Sequence, residues 1–384
     1  MNKTNTILVL PSWYPSRVEP FNGDFIQRHI EAISLFKNQF VLYVVKDLNA
    51  SEKIETTIHT AKGLTEKIIY YRPTVTGMSF LDRIVSHSMY RRLMKKAVRE
   101  FLSEEGNPPL VHVHVGMKAG IIAQWIKINW HIPYIVSEHW TGYLKEAKEN
   151  IYHARPWFKT TLKTVLRNAS VVTAVSNYLS DAINVFEPAV KPVRIPNVVN
   201  TDIFFSQSSV IKEPVFIHAS TMNFQKNTES IVRAMKEVIV TKPAAKLYLY
   251  GPLPATISQL IKKLHFENVV IHKGEVGQPE LARAMQTASA LVLYSRYETF
   301  GCVIIEAHAS KLPVIVSDIP VFHELVTAEK NGFFIPLENE IALADAMVKT
   351  LQSTFDKRDF NITAYNYETV GKMFSGIYES LVNA

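Results

Sequence analysis

Residues 295–307 read Ser295-Arg296-Tyr297-Glu298-Thr299-Phe300-Gly301-Cys302-Val303-Ile304-Ile305-Glu306-Ala307. The stretch follows an apolar run at 290–294 and opens a helix expected over 301–310. Gly301 lets a ligand approach the backbone closely. The amides of Phe300, Gly301 and Cys302 would sit unpaired at the helix N-terminus, which is an anion site. Glu298 lies in the loop before that site. Glu306 lies inside the helix, about 7–8 Å further along at ~1.5 Å per residue. Two carboxylates thus bracket a space for a phosphate, and each can accept two hydrogen bonds from a sugar or ribose diol. The spacing fits plain structural roles equally well, with Glu298 as a charge complementing the helix dipole and Glu306 as a solvated helix residue.

The same strand-loop-helix habit runs along the whole chain. Short apolar strands are expected at 7–10, 40–45, 68–71, 110–113, 134–137 and 171–174, and again at 215–219, 246–250, 269–272, 290–294, 313–317 and 333–335. Amphipathic helices separate them. Continuous Val, Ile and Leu strands alternating with helices mean parallel sheets covered on both faces. Two such series give two doubly wound α/β domains, with the break near 200–214. Ligands of such sheets sit beyond the carboxyl ends of the strands, so the expected site is a cleft between the domains.

Composition narrows the class further. The chain has 384 residues, 47% apolar and 20% charged, which excludes a disordered or fibrous protein. Its apolar runs are far shorter than the ~18–20 residues that span a bilayer. The few apolar residues before Pro11 do not make a signal-peptide core. A single cysteine, Cys302, fits a reducing compartment. These features lead us to expect a cytoplasmic protein. The net charge of +7 is uneven: residues 1–200 carry +9 and the remainder −2. A basic half points to an anionic partner.

The segment from Glu298 to Glu306 resembles the Glu-(seven residues)-Glu motif of retaining glycosyltransferases of family 4, which have the GT-B fold of two facing Rossmann-like domains. The resemblance covers nearly the whole chain. "VLPSWYPSRVEPFNGDF" is similar to the family's N-terminal loop, with Gly23 at its glycine. "VHVHVGMKAG" and "VSEHW" resemble its next two strand ends, the second carrying the active-site histidine at His139. "IPNVVNTDIF" resembles the passage into the second domain, and "QKN" the place of the family lysine, here Lys226. The tail "YNYETVGKMFSGIYESL" resembles a C-terminal helix that returns to the first domain. The resemblance therefore implies an acceptor domain over 1–200 plus 366–384, and a nucleotide-sugar domain over 201–365. Three positions depart from the pattern. Ser220 and Thr221 stand where many members have Gly-Arg, Lys311-Leu312-Pro313 stands for Gly-x-Pro, and the N-terminal Gly-Gly is reduced to Gly23.

The resemblance also assigns roles. Glu298, His139 and Lys226 would be catalytic. Gly23, Thr221, Lys226, Phe300, Gly301, Cys302 and Glu306 would bind the donor, with Glu306 on the ribose, Glu298 and His139 on the sugar, and Lys226 on the diphosphate. A lysine at a helix start opposes the helix dipole, which independently favours a phosphate partner. Glu138, next to His139 in an extended segment, should face away. His112 and His114 share one strand face, but no third histidine or cysteine stands at ligand spacing, so a structural or lining role is expected. The family needs no bound ion, and no cofactor is expected.

Residues 80–101, "FLDRIVSHSMYRRLMKKAVREF", make a basic amphipathic helix. Its expected apolar side is Leu81, Ile84, Val85, Met89, Leu93, Met94 and Ala97, and its cationic side Arg91, Arg92, Lys95, Lys96 and Arg99. Such a helix either covers the sheet with a solvated basic face or rests peripherally on an anionic membrane, on its inner face. Residues 155–167 repeat the basic character. No nucleic-acid signature accompanies it. The reading is a hexosyltransferase acting from a nucleotide sugar onto a saccharide or lipid-linked acceptor in surface polysaccharide synthesis. A nucleotide-sugar epimerase and a non-catalytic nucleotide-sugar binder are the alternatives. A periplasmic-type binding module would leave the glutamate motif unexplained.

Overall fold

The computed structural model describes residues 4–73, 78–207 and 213–382. Two sheets organise it. The first holds β1 (Ile7–Pro11), β2 (Gln39–Lys46), β3 (Ile54–Ala61), β4 (Leu64–Tyr71), β5 (Val111–His114), β6 (Tyr134–Glu138), β7 (Val171–Ala174) and β8 (Val193–Arg194), in the order β3-β4-β2-β1-β5-β6-β7-β8. The second holds β9 (Val215–Ala219), β10 (Lys246–Tyr250), β11 (Val270–Gly274), β12 (Ala290–Leu293), β13 (Val314–Ser317) and β14 (Gly332–Ile335), in the order β11-β10-β9-β12-β13-β14. Every pairing is parallel except β3 with β4.

Helices cover both faces. They are α1 (Asp24–Ser34), α2 (Ser79–Glu104), α3 (Lys118–Trp130), α4 (Pro156–Asn168) and α5 (Asn177–Phe186) around the first sheet. Around the second lie α6 (Thr228–Thr241), α7 (Ala255–Lys263), α8 (Gln278–Thr287), α9 (Cys302–Ala309) and α10 (Glu340–Gln352). The last helix, α11 (Tyr367–Val382), packs on α1. Successive residues of β1 point to opposite faces, as a pleat requires. Leu8 and Leu10 join Val113, Met94 and Ile122 under α2 and α3, while Ile7 and Val9 join Ile26, Ile30 and Phe374 under α1 and α11. Both faces of the strand are therefore apolar, which is why β1 reads as an unbroken run.

Two expectations need correction. Strand β3 was not foreseen: all but one of its residues are exposed, so IETTIHTA shows no apolar run. It is held by the turn to β4 at Gly63, whose φ of 75° suits glycine. In α2, burial starts only at Tyr90 and continues through Leu93, Met94, Ala97 and Val98. Leu81 and Ile84, expected on the buried side, are exposed, because the helix overshoots the sheet at its N-terminal end.

Candidate functional site

Strand order reverses beside β1 in the first sheet and beside β9 in the second. Each reversal opens a crevice beyond the carboxyl ends of the strands. A cavity of about 760 Å³ joins the two crevices, with Gly23, Phe25, His139 and Asn197 on one side and Thr221, Lys226, Glu298 and the turn at Phe300, Gly301 and Cys302 on the other.

The floor in the second domain is built on His218 at the end of β9. Its Nδ1 lies 2.9 Å from the Val292 carbonyl, and its Nε2 meets Ser220 Oγ at 2.7 Å and Thr228 Oγ1 at 3.0 Å. Burial pushes this imidazole down to about 4, so it stays neutral and pins the Ser220-Thr221 turn. Lys226 follows in a single 3-10 turn, Phe224–Lys226, just before α6. Its Nζ donates to the Glu298 carboxylate, which also accepts from Ser295 Oγ at 3.0 Å. The two predicted charges therefore meet. Their loops are laced together by Arg296 N–H to the Gln225 carbonyl at 2.8 Å and by Gln225 Nε2 to the Tyr297 carbonyl at 3.0 Å.

Helix α9 starts at Cys302 with Gly301 as its cap, at φ 96°. A side chain there would be strained and would press on the Phe322 ring at 3.0 Å. The first amides of a helix have no partner within it, and these open onto the cavity. Burial pushes the Cys302 thiol up to about 12, so it remains protonated and offers its amide rather than a thiolate.

From the first domain, Gly23 at φ 76° lets its loop lie against Trp13, where an added Cβ would fall 2.7 Å from the backbone carbon. His139 follows β6 and is buried, and burial holds its imidazole well below the ordinary range. Its carbonyl accepts from Thr299 Oγ1 at 3.1 Å, so it ties the domains directly. Neither His139 Nδ1 nor Asn197 Oδ1 completes a hydrogen bond.

Glu306 sits deeper than the cavity lining. It is buried, not solvated, and its carboxylate takes Arg28 Nη1 from α1 at 2.6 Å. Arg28 also pairs with Asp24 at 3.0 Å. Glu138 turns away as expected: it accepts from the Gly116 amide and the Tyr143 hydroxyl, each at 2.9 Å, and burial raises its carboxyl to about 7.

The histidine pair has more company than its spacing indicates. His112 and His114 share a face, with ring centroids 4.1 Å apart. His29 from α1 and His139 join them, and one nitrogen each from His29, His114 and His139 lies within 4.8 Å of the others. The donor set suits a metal such as zinc in kind. His114 Nδ1 and His139 Nε2 lie 3.3 Å apart, the separation of a hydrogen-bonded imidazole pair, and His29 Nε2 takes the Pro196 carbonyl at 3.0 Å. Arg28, His29 and Asn197 were not foreseen. Arg28 stands four residues after Asp24, a visible pairing, but its second partner lies 278 residues away.

Comparison with known proteins agrees with this architecture. Residues 199–368 match the family model described as Glycosyl transferases group 1, and residues 40–203 match Glycosyltransferase Family 4. The N-acetyl-alpha-D-glucosaminyl L-malate synthase of Bacillus anthracis is 26% identical over 268 residues, 65% of this chain and 67% of that protein. The alpha-monoglucosyldiacylglycerol synthase of Streptococcus pneumoniae is 21% identical over 79% of this chain and 71% of its own. Among solved structures, sucrose-phosphate synthase from Thermosynechococcus elongatus superposes with a TM-score of 0.79 at 18% identity, covering 98% of this chain and 99% of that one. Anabaena HepE in complex with UDP gives 0.73 at 17% identity, covering 98% and 100%. Two parallel-sheet domains facing across a cleft define the GT-B fold. The chain belongs to the group 1, family 4 glycosyltransferases.

Proposed function

We propose that this glycosyltransferase moves a hexose-type sugar from a nucleotide-diphosphate donor to a saccharide or lipid-linked saccharide, with retention and without a resident metal or cofactor. The carrying observation is that Lys226, Glu298 and the α9 amides share one cavity with His139 from the opposite domain. The donor diphosphate lies on the amides and Lys226, and Thr221 is a further hydroxyl contact. Glu298 holds sugar hydroxyls once the diphosphate draws Lys226 toward itself. Glu306 serves the ribose with the carboxylate oxygen that Arg28 does not take.

Breaking the sugar–phosphate bond builds negative charge on the leaving diphosphate and positive charge on the ring. Amides and a lysine fixed in advance stabilise the first. The leaving phosphate oxygen takes the acceptor proton as the acceptor attacks the face it vacates, so no protein nucleophile is needed. Glu138, turned to Gly116 and Tyr143, fits that reading. Neutral His139 can exchange hydrogen bonds with the sugar without adding charge. Closure of the cavity limits hydrolysis of the donor. Anabaena HepE is also known in complex with UDP and glucose, which makes UDP-sugars the first donors to try. Relatives named for a glycolipid and an O-antigen chain support saccharide or lipid-linked acceptors in surface polysaccharide synthesis, and the exposed Arg91, Arg92, Lys96 and Arg99 of α2 support peripheral membrane contact.

The test is a product assay with a nucleotide-sugar panel, with and without acceptor. Transfer that needs acceptor and survives a chelator is expected. Glu298→Ala and Lys226→Ala should each lower it about 10²-fold or more, the usual loss for one charged site contact. An altered sugar nucleotide without acceptor means an epimerase, and binding without turnover means a binder. Full activity in either variant removes its assigned role.

A further inference from the structure

The cleft is not the roomiest cavity in the first domain. A groove of about 1230 Å³ lies on the same side of the first sheet, lined by Lys46, Arg91, Arg92, Lys95, Lys118 and Arg155 among others. Lys46 ends β2, Lys118 opens α3 just after β5, and Arg155 caps α4. These positions put it at the carboxyl ends of the parallel strands, the edge that also presents His139. Asp82 is its one acidic lining residue, and among the described residues none of those six cations makes an ion pair. Arg83 lines the groove as well, and Lys95 and Lys118 lie over the rings of Trp125 and Tyr90, 4.8 and 5.9 Å from the centroids, contacts that leave the positive charge of the concavity uncancelled. Like charges so placed repel one another, so an anion of several charges would relieve the cost. Burial and then the charges of Arg91 and Lys118 depress the His87 imidazole on the same wall, which reports the positive field.

The groove has a second chemistry. Phe80, Ile84 and Trp157 line it while remaining 62%, 51% and 63% exposed. Phe80 and Ile84 are left over where α2 overshoots the sheet, and Trp157 stands in the first turn of α4. A soluble sugar phosphate needs no such rim, and a flat bilayer needs no concavity. We propose that the groove binds the diphosphate of an acceptor carried on a hydrocarbon chain, with the cations on the diphosphate and the apolar rim on the chain. Arginine forks suit diphosphate oxygens, since they donate two hydrogen bonds at once. The inference rests on the reading that the first domain takes the acceptor, and it names that acceptor's anchor.

The test uses the full chain and isothermal titration with farnesyl diphosphate, inorganic pyrophosphate and UDP. Farnesyl diphosphate should bind at least about 10-fold more tightly than pyrophosphate, since burying a few methylenes suffices for that ratio. Excess UDP should leave this binding unchanged, because UDP belongs to the cleft. The double change Arg91→Glu and Arg92→Glu should weaken farnesyl diphosphate at least about 10-fold while UDP binds as to wild type, which also shows the variant is folded. Trp157→Ala should weaken farnesyl diphosphate and leave pyrophosphate unaffected. Unchanged binding in the double variant, or displacement by UDP, overturns the proposal. So does binding to phosphatidylglycerol vesicles without binding to farnesyl diphosphate, which would make the face a membrane rest. Loss of UDP binding alone would instead sink the reading of the cleft and leave the groove standing.

Discussion

Arg28 and Glu306 face each other across the two domains with side-chain exposures of 5% and 7%. Burial raises the Glu306 carboxyl, and Arg28 counters that rise. Two carboxylates, Asp24 and Glu306, hold the guanidinium charged. Removing one partner of a buried pair strands the other charge, which costs far more than the pair contributes. Arg28→Met should therefore cost about 3–5 kcal/mol in urea unfolding, and a cost under about 1 kcal/mol would show that the pair is wetter than its burial implies. Nucleotide affinity should fall as well, because Glu306 loses the contact that orients it. Lys311 makes a smaller point at the same scale. It stands in place of the family's glycine and takes φ 54°, a left-handed backbone that glycine adopts freely, so the departure changes the residue and keeps the turn.

Helix α11 reaches the first domain through a close crossing on α1. A Cβ on Gly371 would fall 2.3 Å from the Ala32 carbonyl oxygen and 2.7 Å from the Phe36 ring. Glycine to alanine inside a helix ordinarily stabilises by roughly 0.5–1 kcal/mol. Here the sign should reverse: Gly371→Ala should destabilise by about 1–3 kcal/mol, as overpacking does, and make the C-terminal helix an early target of limited proteolysis. A variant as stable as wild type would mean that the helices can part without loss. The elements that a reader of the sequence finds are those whose burial is uniform. β1, β5 and β12 are buried at every residue, so their apolar runs declare them. β3 and the first turns of α2 are governed by what lies beside them in space, and no local pattern carries that. The site divides the same way. The loop from Glu298 to Cys302 is continuous in sequence and was legible, whereas Arg28, His29 and Asn197 enter from remote elements.

At the scale of the molecule, the domains are joined by polar contacts at the cleft mouth and rim. Ser176 Oγ donates to the Thr299 carbonyl at 2.7 Å, and Glu324 accepts from the first amides of α5, Asn177 at 3.0 Å and Tyr178 at 2.9 Å. A carboxylate at a helix N-terminus satisfies orphan donors and complements the dipole. Beneath this seam lie the neutral histidines, and they give the whole protein a pH signature. Burial lowers His29 and His218 to about 4 and His112 to about 3, with His114 and His139 also well depressed. A histidine whose folded pKa is depressed leaves the unfolded chain binding more protons below about 6.5, so stability is present above that pH and drains as pH falls toward the folded value. Glu138, raised to about 7, works in the opposite direction, because its folded carboxyl keeps a proton that the unfolded one releases above about 4.5, and Glu306 and Glu31, whose carboxyls burial also raises, act with it. The five histidines outnumber these three carboxyls. Thermal stability should therefore fall between pH 7 and pH 5, each histidine contributing up to about 1.4 kcal/mol per pH unit. His112→Gln should remove about one proton from that slope whatever it does to stability at neutral pH. An unchanged slope in the variant would mean that His112 is protonated in the fold, and its bonds to Tyr378 and Ser137, both 2.7 Å, would have to be reassigned.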